Sequence, residues 1–382
     1  MGTETRSGAL GRAPAGLLGM LVLVVAAEAA FARHEMDLKT AWFWEWRVIG
    51  RAAQQEAAES DVICFGDSLV NHGLLPPVLE SRLGRPTYNL ALSGGQSTTS
   101  YLQLRRVLEA GGKPSAVIVD FFPLLLNHTY RESTPRWPDL LTTRECLELA
   151  WEFQDPTFLT RTMLARAFVS VRVRDGCRTV VRAALTGDAE DRRAEALAWR
   201  RNWRRNRGSS VFQPVARPNL ARDLDEWFRE AFREPDWCAP YHAAYLRRFL
   251  DLAASRDIPV FWLVPPIHPE AQRRFDDGGI EIRYDRLLRS ALARYPNLVV
   301  IDGRRSGYAG SVFVDQAHLD RRGASLLSHD VATIVARSLG GERPPQRWQP
   351  LPAFRPLALD EGIEDVSQSR RVVRAPDGII RR

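Results

Sequence analysis

A serine, a histidine and an aspartate are placed in this chain as the parts of a nucleophilic catalyst would be. The serine is Ser68, within Val62-Ile63-Cys64-Phe65-Gly66-Asp67-Ser68-Leu69. The first half of that stretch is a short apolar run rich in β-branched residues, which predicts a fully buried strand. The second half is a tight polar turn, and Asn71-His72-Gly73 leads on to an apolar helical pattern at Leu74, Leu75, Val78, Leu79 and Leu83. A serine where a buried strand meets a helix sits at the carboxyl edge of a sheet, the edge at which open α/β sheets bind ligands. The helix amino terminus adds N–H groups and a positive dipole end, suited to a developing oxyanion. A neutral hydroxyl is a poor nucleophile and needs a base within hydrogen-bond reach. Phe313-Val314-Asp315-Gln316-Ala317-His318-Leu319 offers His318 to take the proton and Asp315 to fix the imidazole tautomer and stabilise its cation. Their spacing lets both side chains come from one loop or helical turn. The plain alternative is that His318 caps the last helix and Asp315 ends a turn.

Gly66-Asp67-Ser68-Leu69 after a first strand, followed about 250 residues later by Asp315-x-x-His318, resembles the two end blocks of the SGNH, or GDSL, hydrolases. The resemblance implies a three-layer α/β/α, flavodoxin-like SGNH hydrolase fold with a parallel five-stranded sheet in the order 2-1-3-4-5. It implies a catalytic triad of Ser68, His318 and Asp315, and no metal or organic cofactor. It also implies an oxyanion hole built from the backbone N–H groups of Ser68 and of a glycine after the second strand. In Ala91-Leu92-Ser93-Gly94-Gly95-Gln96-Ser97-Thr98 the best match is Gly94, with Gly95 its neighbour. A plain turn and helix cap is the alternative there. The family's third block, Gly-x-Asn-Asp directly after the third strand, is missing, and the chain reads Phe121-Phe122-Pro123-Leu124-Leu125-Leu126-Asn127-His128. Asn127 lies later than expected and either donates to the oxyanion through a longer loop or caps a turn. Loss of one such donor costs about 10²–10³ in rate. In this departure the chain resembles divergent SGNH-like proteins that handle acyl groups on cell-surface polymers.

The elements that must position these residues divide the chain into four parts. Residues 1–33 read as an N-terminal signal anchor or signal peptide and 34–60 as a helical linker. Residues 61–340 read as the SGNH hydrolase-like domain, with a helical insertion at about 130–236, and 341–382 as a Pro/Arg-rich disordered tail. Strands are expected at 61–66, 86–90, 116–120, 258–264 and 298–302. Helical patterns fill 74–83, 98–110, 241–254, 280–295 and 322–339, and Gly111-Gly112 ends the second of these as C-cap glycines do. This alternation predicts one α/β domain with a parallel sheet. Within the insertion, helices are expected at 140–152, 156–173 and 188–203, capping the carboxyl edge of the sheet. Its cluster Trp199-Arg200-Arg201-Asn202-Trp203-Arg204-Arg205-Asn206-Arg207 either binds sugar, anionic polymer or membrane surface, or is a solvated helix face with tryptophans turned inward. His268, after the fourth strand, is either surface decoration or a substrate contact.

Ala15 to Ala27 is an unbroken run of apolar or small residues, preceded by Arg6 and Arg12 and followed by Ala30-Phe31-Ala32, a possible cleavage site. Cut or retained, the positive-inside rule places the rest of the chain outside the cytoplasm: at the cell membrane, or secreted or periplasmic. Trp42, Phe43, Trp44 and Trp46 suit the interface of a retained anchor, or pack on the domain. Of 382 residues, 45% are hydrophobic and 26% charged, ordinary for a globular protein with ample core. The net charge of +7 comes almost wholly from arginine, with Lys39 and Lys113 the only lysines. No zinc-finger spacing or RNA-binding signature accompanies it, which argues against nucleic acid as a partner. Cys64 reads as a buried free thiol, whereas Cys146 with Cys177, or Cys177 with Cys238, are candidates for a disulfide. Three readings follow. One is a serine hydrolase (esterase or deacylase) acting on acyl esters of carbohydrate or lipid. The second is an O-acyltransferase modifying an extracellular polysaccharide. The third is a catalytically silent glycan-binding SGNH-like protein.

Overall fold

The computed structural model describes residues 15–39, 43–133, 135–186, 192–221, 224–232, 237–341, 346–356 and 362–375. The β-branched and aromatic runs form β1 (Val62–Phe65), β2 (Thr87–Asn89), β3 (Ala116–Val119), β4 (Val260–Val264) and β5 (Leu298–Asp302). A further strand, β6 (Trp348–Pro350), completes a six-stranded sheet in the order β2-β1-β3-β4-β5-β6, every pair parallel. The expected sheet was one strand smaller.

Side chains alternate across the sheet as the strand period of two demands. Ile63, Phe65, Val117, Val119, Trp262 and Val300 face one layer of helices, which includes Phe43–Ala52, Ser97–Glu109, Pro240–Ala254 and Ile280–Arg294. Val62, Cys64, Ile118, Phe261, Leu263 and Ile301 face the other, which includes Pro76–Leu83 and Arg321–Leu339. All of these strand residues are buried, so the sheet is covered on both faces, as parallel sheets require. The chain goes from β1 outward to β2 and then crosses to β3 on the other side of β1. That reversal opens a crevice beyond the carboxyl ends of β1 and β3, where ligands of open α/β sheets bind.

The amino-terminal region begins as a helix, Ala15–Arg33. Its stretch Gly16–Arg33 has mean hydropathy 1.8 and no buried residue, long and apolar enough to cross a membrane. Arg6, Arg12 and Trp42 lie outside the described residues. Trp44 and Trp46 pack on the domain, edge-on against Trp203 at 5.4 Å and Trp137 at 5.4 Å. Cys146 and Cys177 carry free thiols, so neither expected bridge forms; Cys64 is a buried thiol, as expected.

Within the insertion, helices run Thr143–Phe153, Pro156–Ala167, Val169–Arg172, Arg174–Thr186 and Arg192–Arg205. The start of the helix expected at 188–203 lies outside the described residues. Trp199 and Trp203 are buried, so the arginine-tryptophan cluster turns its rings inward. After it the chain runs along the edge of β2, where Asn89 N–H donates to Arg207 C=O (3.0 Å), and on over the carboxyl ends of the strands.

Residues 346–356 and 362–375, within the stretch expected to be disordered, are built into the fold. Trp348 of β6 pairs with Val300, and its Nε1 donates to Asp302 Oδ2 (3.1 Å). Helix Val366–Arg374 packs on Arg192–Arg205. The buried Asn202 fastens this contact: Nδ2 donates to Glu364 C=O (2.7 Å), and Oδ1 accepts from Val211 N–H (2.7 Å). Arg201 adds a two-pronged ion pair with Glu364 (2.8 and 3.0 Å). A chain ending at residue 345 would leave Nδ2 of the buried Asn202 and the outer edge of β5 without these partners. It should lose about 3 kcal/mol or more of stability, read as a lower urea midpoint than that of the full chain. A tail with no structural role would leave the midpoint unmoved.

Candidate active site

The turn after β1 is held by a buried acid. Gly66 has φ +135°, and a Cβ there would come within 1.6 Å of Asp120 Oδ1, so no larger residue fits. That same Asp120 oxygen accepts from Asp67 N–H (2.9 Å). Asp67 in turn caps the following helix, Ser68–Gly73, its Oδ1 accepting from Leu69 N–H (2.6 Å). Burial, and then the neighbouring Asp67, push the Asp120 carboxyl well up. The result fixes Ser68 as the first residue of a helix at the mouth of the β1–β3 crevice. The helix is only six residues long, so the turn rather than a long dipole sets the environment of Ser68.

On the far side of the crevice, the Asp315–His318 stretch is a tight loop closed by a bridge between Phe313 and Leu319. Val314 N–H donates to His318 C=O (2.9 Å), and Asp320 caps the long helix Arg321–Leu339 through Arg322 N–H (2.8 Å). Within the loop, Asp315 Oδ1 accepts from the N–H groups of Ala317 and His318, both at 2.8 Å. Its carboxylate also meets His318 Nδ1 at 2.8 and 3.0 Å. Burial alone would raise the Asp315 carboxyl, but the His318 ring and the two backbone donors hold it below its usual range. With Nδ1–H given to Asp315, Nε2 is the acceptor, and the Ser68 hydroxyl donates to it at 2.8 Å. The three residues singled out from sequence thus form one hydrogen-bonded chain across 250 residues of sequence.

Ser68 and His318 line a cavity of about 490 Å³ together with His72, Gly94, Arg136 and Phe212. Gly94 adopts φ +69°, and a Cβ there would meet Arg136 Nη1 at 2.2 Å. Gly95 lies against Gly66 C=O, where a Cβ would come within 2.4 Å, and is not in the cavity wall. Asn127 is buried at the end of helix Pro123–Asn127 and does not line the cavity, so the resemblance's third donor is not found at that position. His268 is also outside the wall: its Nδ1 accepts from Glu270 N–H (3.3 Å) and its ring packs on Phe313.

Four residues that sequence reasoning passed over complete the site. His72 stands edge-on to His318 at 5.4 Å, its Nδ1 2.5 Å from Ser210 C=O. Burial, and then the neighbouring His318, push its imidazole down to about 3, so it stays neutral beside His318. Phe212, from the end of the insertion, packs 4.4 Å from the His72 ring and covers it. Arg136 Nη1 donates to Ser93 C=O (3.1 Å), and its guanidinium lies over the Trp46 ring at 5.7 Å. Glu45 is buried beneath, accepting from Ser93 Oγ (3.0 Å) and Ser210 Oγ (3.1 Å). None of the four carries a local motif; each is recognisable only from its neighbours.

Burial pushes the Glu45 carboxyl up to about 7 from its ordinary 4.5. The folded state therefore holds this proton when the unfolded chain has lost it. Stability from this group is full below about pH 4.5 and is lost as pH rises to about 7, by on the order of 3 kcal/mol in all. Glu45→Gln keeps both serine contacts and removes the titration. Urea unfolding at pH 8 should show the variant more stable than the parent by about 1–3 kcal/mol, with the gap closing toward pH 4.5. Equal gaps at both pH values would mean that Glu45 is ionised in the fold. No protein-family model and no curated protein matches this chain, so its site is read from its own geometry.

Proposed function

We propose that the chain is a serine hydrolase of the SGNH type that cleaves acyl esters of carbohydrate or lipid outside the cytoplasm, held at the membrane by the helix Ala15–Arg33. The observation that carries this reading is the hydrogen-bonded sequence Ser68 Oγ, His318 Nε2, His318 Nδ1 and Asp315 Oδ2 opening into a cavity. The apolar helix, none of whose residues Gly16–Arg33 is buried, supports the membrane placement.

In this mechanism Ser68 Oγ attacks the ester carbonyl as its proton passes to His318 Nε2. Asp315 accepts from Nδ1 throughout and stabilises the imidazolium. Negative charge gathers on the former carbonyl oxygen, facing the backbone N–H groups of Ser68 and Gly94. The imidazolium returns its proton to the leaving alkoxide, and the C–O bond breaks to leave acyl-Ser68. Water then enters, gives a proton to His318, and releases the acid while Ser68 regains its hydrogen. His72, neutral and beside His318, puts no second positive charge next to the imidazolium.

The test is turnover of 4-nitrophenyl acetate by the full chain in detergent, with acid-quenched samples weighed for acetyl on the peptide that contains Ser68. Ser68→Ala should abolish both signals. His318→Ala should lower kcat by about 10⁴ or more, and Asp315→Asn by about 10²–10⁴. Turnover that survives Ser68→Ala, or acetyl on another peptide, would remove Ser68 from the nucleophile's role.

A further inference from the structure

A guanidinium taken out of water needs counter-charge or a full set of acceptors. Arg136 is half-buried, and among the described residues no carboxylate lies within ion-pair distance of it, although the charge of the buried Glu45 acts on it from farther off. It makes one hydrogen bond, to Ser93 C=O, and rests on the Trp46 ring. Glu45 gives its oxygens to the hydroxyls of Ser93 and Ser210 and makes no hydrogen bond to the guanidinium. The guanidinium approaches the catalytic turn only because residue 94 is a glycine: a Cβ would sit 2.2 Å from Nη1. The fold thus brings a cation short of counter-charge into the wall of the cavity that holds Ser68 and His318.

We propose that Arg136 forms an anion subsite of this cavity, and that the ester hydrolysed there carries a permanent carboxylate or phosphate close to the scissile bond. The proposal rests on the esterase reading of Ser68 and names the class of substrate. A transient oxyanion would leave the arginine uncompensated in the resting protein and through most of the cycle, whereas a ligand's own anion is present from binding onward. The cavity of about 490 Å³ has room for such a group beside an ester. An arginine suits the task because its planar fork can hold two oxygens of a carboxylate or phosphate at once.

The experiment compares 4-acetoxybenzoate with its uncharged methyl ester, using the full chain in detergent. Calorimetry on the Ser68→Ala chain reads binding without turnover. It should favour the acid over the methyl ester by about tenfold or more. Adding Arg136→Gln should erase that preference, and Arg136→Lys should keep part of it. In the Ser68 chain the ratio of kcat/KM for the two esters should fall with Arg136→Gln by a similar factor, carried by KM. Monophosphorylated 4-acetoxyphenol in a parallel arm distinguishes phosphate from carboxylate as the preferred anion. No preference for either anion in the Ser68→Ala chain would overturn the subsite. Equal loss of kcat on charged and uncharged esters in Arg136→Gln would also overturn it, placing Arg136 at the oxyanion or in support of the turn. An anion preference that depends on Arg136 in a chain that never acylates Ser68 would instead sink the esterase reading and leave the subsite standing.

Discussion

The site depends on a carboxyl group in the space where residue 66 would have a side chain. Asp120, at the end of β3, fills the position of a Cβ on Gly66 and accepts from Asp67 N–H, so the turn after β1 is pinned to its neighbouring strand. Asp67 then caps the helix that Ser68 begins. Two buried acids side by side are costly in their charged forms, and burial, with Asp67 beside it, raises the Asp120 carboxyl accordingly. The position immediately after β3 is thus given to holding the turn that carries Ser68. The stretch in which the resemblance expects an asparagine donor forms a buried helix, Pro123–Asn127, that does not line the cavity.

The second support comes from the segment that follows the apolar helix. Trp46 Nε1 donates to Ser93 C=O (3.2 Å), Glu45 accepts from Ser93 Oγ, and Arg136 donates to the same Ser93 carbonyl. Three side chains from two distant parts of the chain therefore hold the residue before Gly94. Glu45 also accepts from Ser210, whose carbonyl meets His72 beside His318. Residues expected to be only a linker are joined in this way to both sides of the cavity. Arg136, which supports the turn through Ser93, also lines the cavity that Gly94 borders.

Much of this was legible in the sequence because it is local. A β-branched run ending in Gly-Asp-Ser specifies a buried strand and a turn, and Asp315 and His318 sit close enough to share a loop whatever the fold. The five strands of the core were visible for the same reason. β6 was not: it is three residues long, ends in Pro350 and pairs on one side only, so it carries no period-two signal. Helix Val366–Arg374 is short and arginine-rich, and its burial is supplied by Asn202 and its neighbours rather than by an apolar stripe. Arg136 and Glu45 carry no local signal, because only the fold brings them to Ser93, 43 and 48 residues away in sequence. Asn127 was chosen by position after a strand, and the short helix that begins at Pro123 buries it instead.

The central claim is that His318 and Asp315 activate Ser68. It is tested most directly by labelling the full chain with a fluorophosphonate and mapping the modified peptide, with Ser68→Ala and His318→Ala alongside. The account predicts phosphonylation confined to Ser68 and lost in both variants. A folded chain that takes no label, or takes it equally without His318, would contradict the account.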